Sequence, residues 1–427
     1  MKHSEIKNIL DSQVRQGAHF AEIFLEHKET LALKLEDNNI EQVRRGVDCG
    51  AGLRKVHQDK TDYSYTNDVE FPLSEGPPET PLEEKVDLLK NANRIARSVS
   101  DLVRQVSVSY METVQRVHIA NSDGLMVDDL RHRSRFAIQV IAADDSVIQT
   151  GYEAPGCSGG MDELFRRHSA EELSLAAAER AVRMLAAPHA PAGKMPVVLL
   201  SEAGGTMIHE ACGHSLEADF IMKETSVFTN KLDKQIASPL ITVIDDSSLP
   251  GNFGSYRFDD EGVPSQKTVL IENGILKNFL TDRLTAKVLN LPLSSNGRRE
   301  SFRHRPVPRM SNTYIAPGHD NTDDIIKSVD QGLLVKRMGG GQVDVTNGEF
   351  VFEVSEGYLI ENGEITTPVR GATLIGNGPE VLKIVDMVGT DLYFQEGICG
   401  KYDHAPVSDA QPTIRIPRIV VGGQEVS

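Results

Sequence analysis

The stretch Ala187-Pro-His-Ala-Pro-Ala-Gly-Lys-Met-Pro196 runs straight into Val197-Val-Leu-Leu-Ser201, and soon after come Gly204-Gly205 and His209-Glu210-Ala211-Cys212-Gly213-His214. Prolines 188, 191 and 196 cannot continue a helix, because each fixes φ and lacks an N–H. They divide the chain into residues 1–190 and 191–427. The apolar run beyond them is short and bounded by turn signals, so it reads as a strand. Gly204-Gly205 reads as a bend and the histidine segment as a helix.

Upstream, apolar residues at Ile6, Ile9, Leu10 and Val14 give a helical period that stops at Gly17. Short alternating runs follow at 20–25, 31–35 and 50–56, then at 103–110, 114–120 and 136–142. They read as strands of an antiparallel sheet. Asn121-Ser-Asp-Gly124 supplies a turn between two of them. Helices are expected over 82–99 and 170–185, and the proline-rich stretch 72–81 is a connector and sub-boundary.

Downstream the punctuation changes. Asn-Gly pairs stand at 273–274, 347–348 and 362–363, beside β-branched or apolar runs. Asn-Gly suits the type I′ hairpin turn, which needs positive φ at both central residues. Leu-Ile-Glu-Asn-Gly occurs at 270–274 and again at 359–363, which reads as two similar hairpins. The fold class is therefore α+β. An amino-terminal domain of helices and a sheet precedes a β-rich, antiparallel domain carrying one helix, that of the histidine segment.

Composition narrows the function. With 45 Lys and Arg against 62 Asp and Glu, the 427-residue chain carries a net charge of −17, which repels phosphate backbones and disfavours nucleic-acid partners. No apolar run is long enough to span a bilayer. Cys49, Cys157, Cys212 and Cys399 are too few and scattered for a disulfide framework, so a reducing cytoplasm is expected.

His209, Glu210 and His214 form the pattern H-E-x-x-x-H. Two imidazoles and a carboxylate are the usual parts for a zinc ion that activates water. On a regular helix, five residues at roughly 100° each leave the two rings about 140° apart, unable to share one ion. A wider π turn brings them back to one face. The spacing thus predicts a distorted or ending helix at Gly213, with Glu210 as general base. A third ligand is needed. Cys399, flanked by Gly397 and Gly400 and followed by Lys401, whose charge favours the thiolate, is one source, and Glu217 and Asp219 are others. Cys212 reads as a small buried residue, and Cys49 and Cys157 as packing residues.

Further motifs run through the second half in order: Glu217-Ala-Asp219, Asp259-Asp260-Glu261-Gly262, Arg305-Pro-Val-Pro-Arg309-Met310-Ser-Asn312, Gly339-Gly340-Gly341-Gln342, Glu356-Gly357-Tyr358, Pro368-Val-Arg370-Gly371, Gly376-Asn377-Gly378-Pro379 and Gly397-Ile-Cys399-Gly400-Lys401. With the hexapeptide, they make the chain resemble the TldD/PmbA family of zinc metallopeptidases, on the TldD, catalytic side. The resemblance covers the second domain in family order and the first only in layout. It implies His209, His214 and Cys399 as ligands of one Zn²⁺ and Glu210 as catalytic base. It further implies hydrolysis of extended or unfolded peptides with broad specificity. Association would be as a homodimer, or as a heterodimer with a PmbA-like paralogue lacking the motif. Where the family continues Cys-Gly-Lys with Gly-Gln, this chain has Tyr402-Asp403-His404, and His404 is read as a bystander.

Gly340 and Gly341 are expected beside a peptide backbone that adds as a strand, since glycine permits close approach. Arg309 and Asn312 are expected at the substrate, within a basic stretch 298–309 that reads either as a solvated loop or as a substrate-facing one. Tyr358 and Arg370 are placed along the cleft, and 259–261 is read as a solvated acidic turn. Two rival readings are a small-molecule amidohydrolase, which would need a deep closed pocket, and a non-catalytic scaffolding subunit, which would hold no metal.

Overall fold

The structure, a computed structural model, describes residues 3–57, 60–71, 76–77 and 79–424. Part of the proline-rich connector at 72–81 lies outside those residues. Three helices form where the apolar period places them: α1 (His3–Arg15), α2 (Leu82–Ser98) and α3 (Ala170–Leu185). The last is fixed at its start by a capping box, Ser169 accepting from the Glu172 N–H while Glu172 accepts from the Ser169 N–H.

The sheet beside them differs from the sequence expectation. The short runs fuse into long strands: β1 (Phe20–Glu36), β2 (Asn39–His57), β4 (Val103–Asn121) and β5 (Met126–Ala143), with β3 (Lys60–Thr66) and β6 (Ile148–Glu153) at the edges. Their order is β3-β2-β1-β4-β5-β6. The polar residues Glu26 to Glu29 do not end β1, because the ladder bonds are made by the backbone. One end of β1 packs Ala21, Ile23 and Leu25 under α1, and the other packs Leu31, Leu33 and Leu35 near α2 and α3. The apolar pattern lapses between these two helical covers, while the strand continues.

One buried group in this unit carries a pH prediction. Lys85 of α2 is fully buried and paired with Glu112, which also takes a hydrogen bond from His132 Nε2 at 2.7 Å. Burial alone would raise the Glu112 carboxyl, but the bonds from His132 and Lys85 outweigh it and hold it at about 2. A depressed carboxyl stabilises the fold above its ordinary value near 4.5, and that contribution is lost as pH falls toward 2. Glu112→Gln should therefore cost about 2–3 kcal/mol at neutral pH. Urea midpoints of variant and wild type should converge on acidification through that window.

The second half holds two larger sheets. One has six strands, running Ile275–Leu276, Lys267–Glu272, Val243–Asp246, Asn312–Ile315, His404–Gln411 and Tyr393–Gly400, so that Tyr393–Gly400 is an outermost strand. The other orders Gln331–Val343, Gly193–Leu199, Ile414–Gly422, Thr373–Asn377 and Glu349–Glu361, and the first and last of these also pair. Those five strands close into a ring, which removes their free edges. Two pairings, Asn312–Tyr314 with Ser408–Ala410 and Leu333–Val335 with Val197–Leu199, are parallel, so the domain is less uniformly antiparallel than expected. Asn273-Gly274 and Asn362-Gly363 have positive φ at both positions (48° and 80°, 54° and 78°), as type I′ turns require. At 347–348 only Gly348 is positive, and the loop is wider.

The basic stretch 298–309 and the acidic turn 259–261 both depart from their sequence readings. Arg298, Arg299, Arg309, Asp259, Asp260 and Glu261 are all buried. Arg299 pairs with Glu22 of β1 and stacks 4.3 Å over the Phe24 ring, while Arg54 of β2 pairs with Glu261. Arg131 of β5 bonds Asp260 at 2.5 Å. Arg299, Asp260 and Glu261 are withdrawn from solvent because they meet their opposites across the seam between the amino-terminal sheet and the second half, whereas Arg298, Arg309 and Asp259 are bonded within the second half.

Candidate metal centre

The strand Gly193–Leu199 leads into a helical segment whose first turn covers Thr206–Ile208. Gly205 opens it, and a Cβ there would lie 2.3 Å from the Ala410 backbone nitrogen, so only glycine lets the segment press onto strand His404–Gln411. The next turn, His209–Gly213, is a π turn, with the His214 N–H bonding the His209 carbonyl. This wide turn brings the two rings to centroids 4.8 Å apart at 89°. Gly213 has an ordinary helical φ of −55°. Its smallness matters for packing, since a Cβ would fall 2.1 Å from the Met310 sulfur.

Cys399 arrives from the outermost strand, with its sulfur 3.2 Å from His209 Nε2 and 3.3 Å from His214 Nε2. All three residues are buried, and their ligand atoms lie within 4.8 Å of one another. Tetrahedral bonds of 2.0–2.1 Å to nitrogen and 2.3 Å to sulfur put such atoms about 3.5 Å apart. The far ring nitrogens are engaged too. His209 Nδ1–H donates to Asp409 at 2.7 Å and His214 Nδ1–H to Glu217 at 3.0 Å, which aims both Nε2 atoms inward. The set therefore fits a metal ion.

The electrostatics agree. Burial would raise the Cys399 thiol, yet the two imidazoles outweigh burial and pull it down to about 5. Burial would likewise lower the histidines. Asp409 overrides it at His209, and Glu217 lifts His214 to about 9. These shifts favour a thiolate beside protonated imidazoles, and a cation would displace the imidazole protons on entry. Glu210, half-buried beside them, has its carboxyl raised by burial against the lowering pull of the imidazoles.

Other predicted residues land elsewhere. Glu217 and Asp219 stand behind the ligand set, salt-bridged to Lys401 at 3.0 and 2.6 Å, so Lys401 serves these carboxylates rather than the thiolate. Cys212 is wholly buried in the apolar core, and His404 is exposed and bonds Glu300. Arg309 and Asn312 are enclosed at 1% and 0% exposure, which removes them from any surface cleft. Asn312 donates to the Asp246 carbonyl at 2.6 Å and to Ser255 at 2.9 Å. The Tyr358 hydroxyl is taken by Glu356 and by Arg183 of α3, and the Arg370 backbone ties down the proline-rich boundary through Pro188 and Ala190. Gly341 is small because Phe352 of its own hairpin lies where a Cβ would be, whereas Gly340 faces open space.

Models of three domains match the chain: PmbA/TldA metallopeptidase domain 1 over residues 21–96, the central domain over 75–185 and the C-terminal domain over 192–423. The chain belongs to the PmbA/TldA metallopeptidase family. Membership makes it a metal-dependent hydrolase by class. A metalloprotease TldD homolog of Haemophilus influenzae is 37% identical over 459 residues, covering 97% of this chain and 95% of the relative. A zinc metalloprotease TldD homolog of Saccharolobus solfataricus is 30% identical over 345 residues, covering 80% and 76%. The crystal structure of TldE from Thermococcus kodakarensis superposes with a TM-score of 0.76 over 98% of this chain and 100% of that one, and at 20% identity it speaks for the fold alone.

Sequence reasoning missed Asp409. It stands in Val407-Ser-Asp409-Ala-Gln411, with no spacing signal linking it to a histidine 200 residues earlier. If His209 ligates the metal, Asp409→Asn should weaken metal binding 10- to 100-fold, the usual cost of losing the carboxylate behind a ligating imidazole. Competition with a chromophoric chelator measures this. An unchanged affinity would show that His209 needs no such support.

Proposed function

We propose that the chain is a zinc metallopeptidase that cleaves peptide bonds in extended or unfolded chains with broad tolerance of side chains. His209, His214 and Cys399 would hold the ion, and Glu210 would act as general base. The observation that carries this reading is that Cys399 rides on an outermost strand. The ligand set thus sits beside a strand edge with no second partner strand among the described residues, which a peptide can join as an added strand. Main-chain pairing of that kind is indifferent to most side chains. A cavity of about 500 Å³ flanks the same strand, lined by Tyr393, Gln395, Arg337, Gly339 and Gly340 among others, and it gives substrate side chains room. A strand edge continues where a small-molecule amidohydrolase would close around its substrate.

When bound, zinc supplies Lewis-acid polarisation of the scissile carbonyl and acidifies water. The protein residues do the remaining work. Asp409 and Glu217 hold the imidazole tautomers, Cys399 supplies the anionic ligand, and Glu210 takes a proton from the attacking water and returns it to the leaving amine. We also assign the chain to a reducing cytoplasm, on its four unpaired cysteines, and divide it at residue 190. A PmbA-like or TldE-like subunit is the partner proposed, with self-association as the alternative arrangement.

The test joins metal analysis to cleavage of casein or an unstructured peptide. Wild type should hold one zinc per chain and cleave. Cys399→Ala should lose most of both. Peptides N-methylated at successive amides should be cleaved poorly even where side-chain variants are cleaved well. A wild type that holds no stoichiometric metal and cleaves nothing would refute the proposal.

A further inference from the structure

Behind Cys399 lies a buried group that the hydrolytic chemistry does not use. Arg309 is 1% exposed. Its Nη2 donates to the Cys399 carbonyl at 2.7 Å. Its Nη1 donates to the Asp403 carbonyl at 3.1 Å and also bonds the Asp403 carboxylate. Its Nε faces Glu217 Oε1 at 3.9 Å, and Glu217 is the carboxylate that orients His214. One guanidinium therefore touches the main chain of one ligand, the turn that follows it, and the carboxylate behind a second ligand.

This arrangement answers a mechanical problem. Two ligands share one π turn and are fixed by it. The third comes from an outermost strand that, among the described residues, pairs only with His404–Gln411, and the strand turns back immediately after Gly400. Gly400 has nothing within 4 Å of a would-be Cβ, so side-chain packing does not hold it. Such a strand end frays unless something grips it. Asp403 lies on the far limb of the turn, and bonding it and the Cys399 carbonyl at once clamps both limbs. Arg298 adds to the grip, donating to the carbonyls of Met310 and, at 2.7 Å, Pro406.

We propose that Arg309 is a positioning residue for the metal: its guanidinium clamps the 399–403 turn and so holds the Cys399 thiolate in the ligand set. The proposal rests on the reading of His209, His214 and Cys399 as the ligands. Its chemistry calls for arginine, because a rigid fork bonds a carbonyl and a carboxylate together while an ammonium is a single point.

The test uses the full chain loaded with Co²⁺, whose thiolate-to-cobalt charge-transfer band reports whether sulfur is bound. Affinity is measured by chelator competition, and folding by circular dichroism. Arg309→Gln and Arg309→Lys should both lose at least tenfold in affinity and most of the band. A double variant, Arg309→Met with Asp403→Leu, removes both charges, leaves neither buried alone, and should fold. It too should lose the band, because the clamp is gone. If the wild type shows the band and folded Arg309 variants keep it at wild-type affinity, the positioning role is wrong and the ligand assignment stands. If the wild type itself lacks the band and Cys399→Ala binds metal equally well, the ligand assignment has failed, and the inference with it.

Discussion

Glu210→Gln should cut peptide hydrolysis sharply and leave metal content unchanged. The substitution keeps the shape of the side chain and removes only its basicity. Glu210 sits in the π turn between His209 and His214, where burial and nearby charges are the largest influences on its carboxylate. Among the described residues no bonded partner of that carboxylate is seen, which leaves it open to a water and a substrate amine. Burial raises its proton affinity toward the working pH, which suits a group that must accept a proton and then return it. General base catalysis of this kind is worth about 10²–10⁴ in rate, so kcat should fall by that factor. Zinc content should stay at the wild-type level, because the ligands and the carboxylates behind them are untouched. The paired measurement is metal stoichiometry and kcat on one casein-derived peptide. Retention of more than a tenth of the activity would place the base elsewhere.

The five-residue spacing of the histidines held this information because it conflicts with a regular helix. A motif with four-residue spacing would have passed as ordinary. The π turn over His209–Gly213 is what that conflict demands. Helices α1, α2 and α3 and the turns at Asn273-Gly274 and Asn362-Gly363 were legible for a simpler reason, since local chemistry decides them. Long-range pairing left no such trace. Strand β1 carries four polar residues through its middle, and nothing nearby says that two separate helical covers account for the lapse in its pattern. Arg299 and Arg309 look solvated in sequence because their acidic partners, Glu22 and Asp403, lie far along the chain. Lys401 sits two residues from Cys399, but its partners Glu217 and Asp219 are on another element. Sequence neighbours suggested a thiolate–ammonium pair. The fold instead makes Lys401 a tie between the turn after Cys399 and the segment after His214.

Arg299→Leu should destabilise the protein more than any substitution of a surface charge. The Arg299 side chain is wholly buried, with Glu22 on one side and the Phe24 ring beneath it. Its backbone N–H bonds Asp260 at 2.8 Å, and its guanidinium reaches the Asp260 carbonyl at 2.6 Å. Burial pushes the Glu22 carboxyl upward, and Arg299 is the largest pull against it. Removing the arginine leaves that carboxylate enclosed with only Arg54, 3.8 Å away, to share with Glu261. Breaking a buried pair from one side costs about 3–5 kcal/mol, whereas removing both partners is often close to neutral. The single variant should thus lose about that much in urea unfolding, and Arg299→Leu combined with Glu22→Leu should recover most of it. The recovery is the decisive part. It separates the cost of an orphaned charge from the loss of packing at the seam, since the double variant has the same Leu at position 299. A double variant no more stable than the single one would mean that Arg299 works by filling space over Phe24, and that the charges crossing from β1 to the second half do not hold the two together.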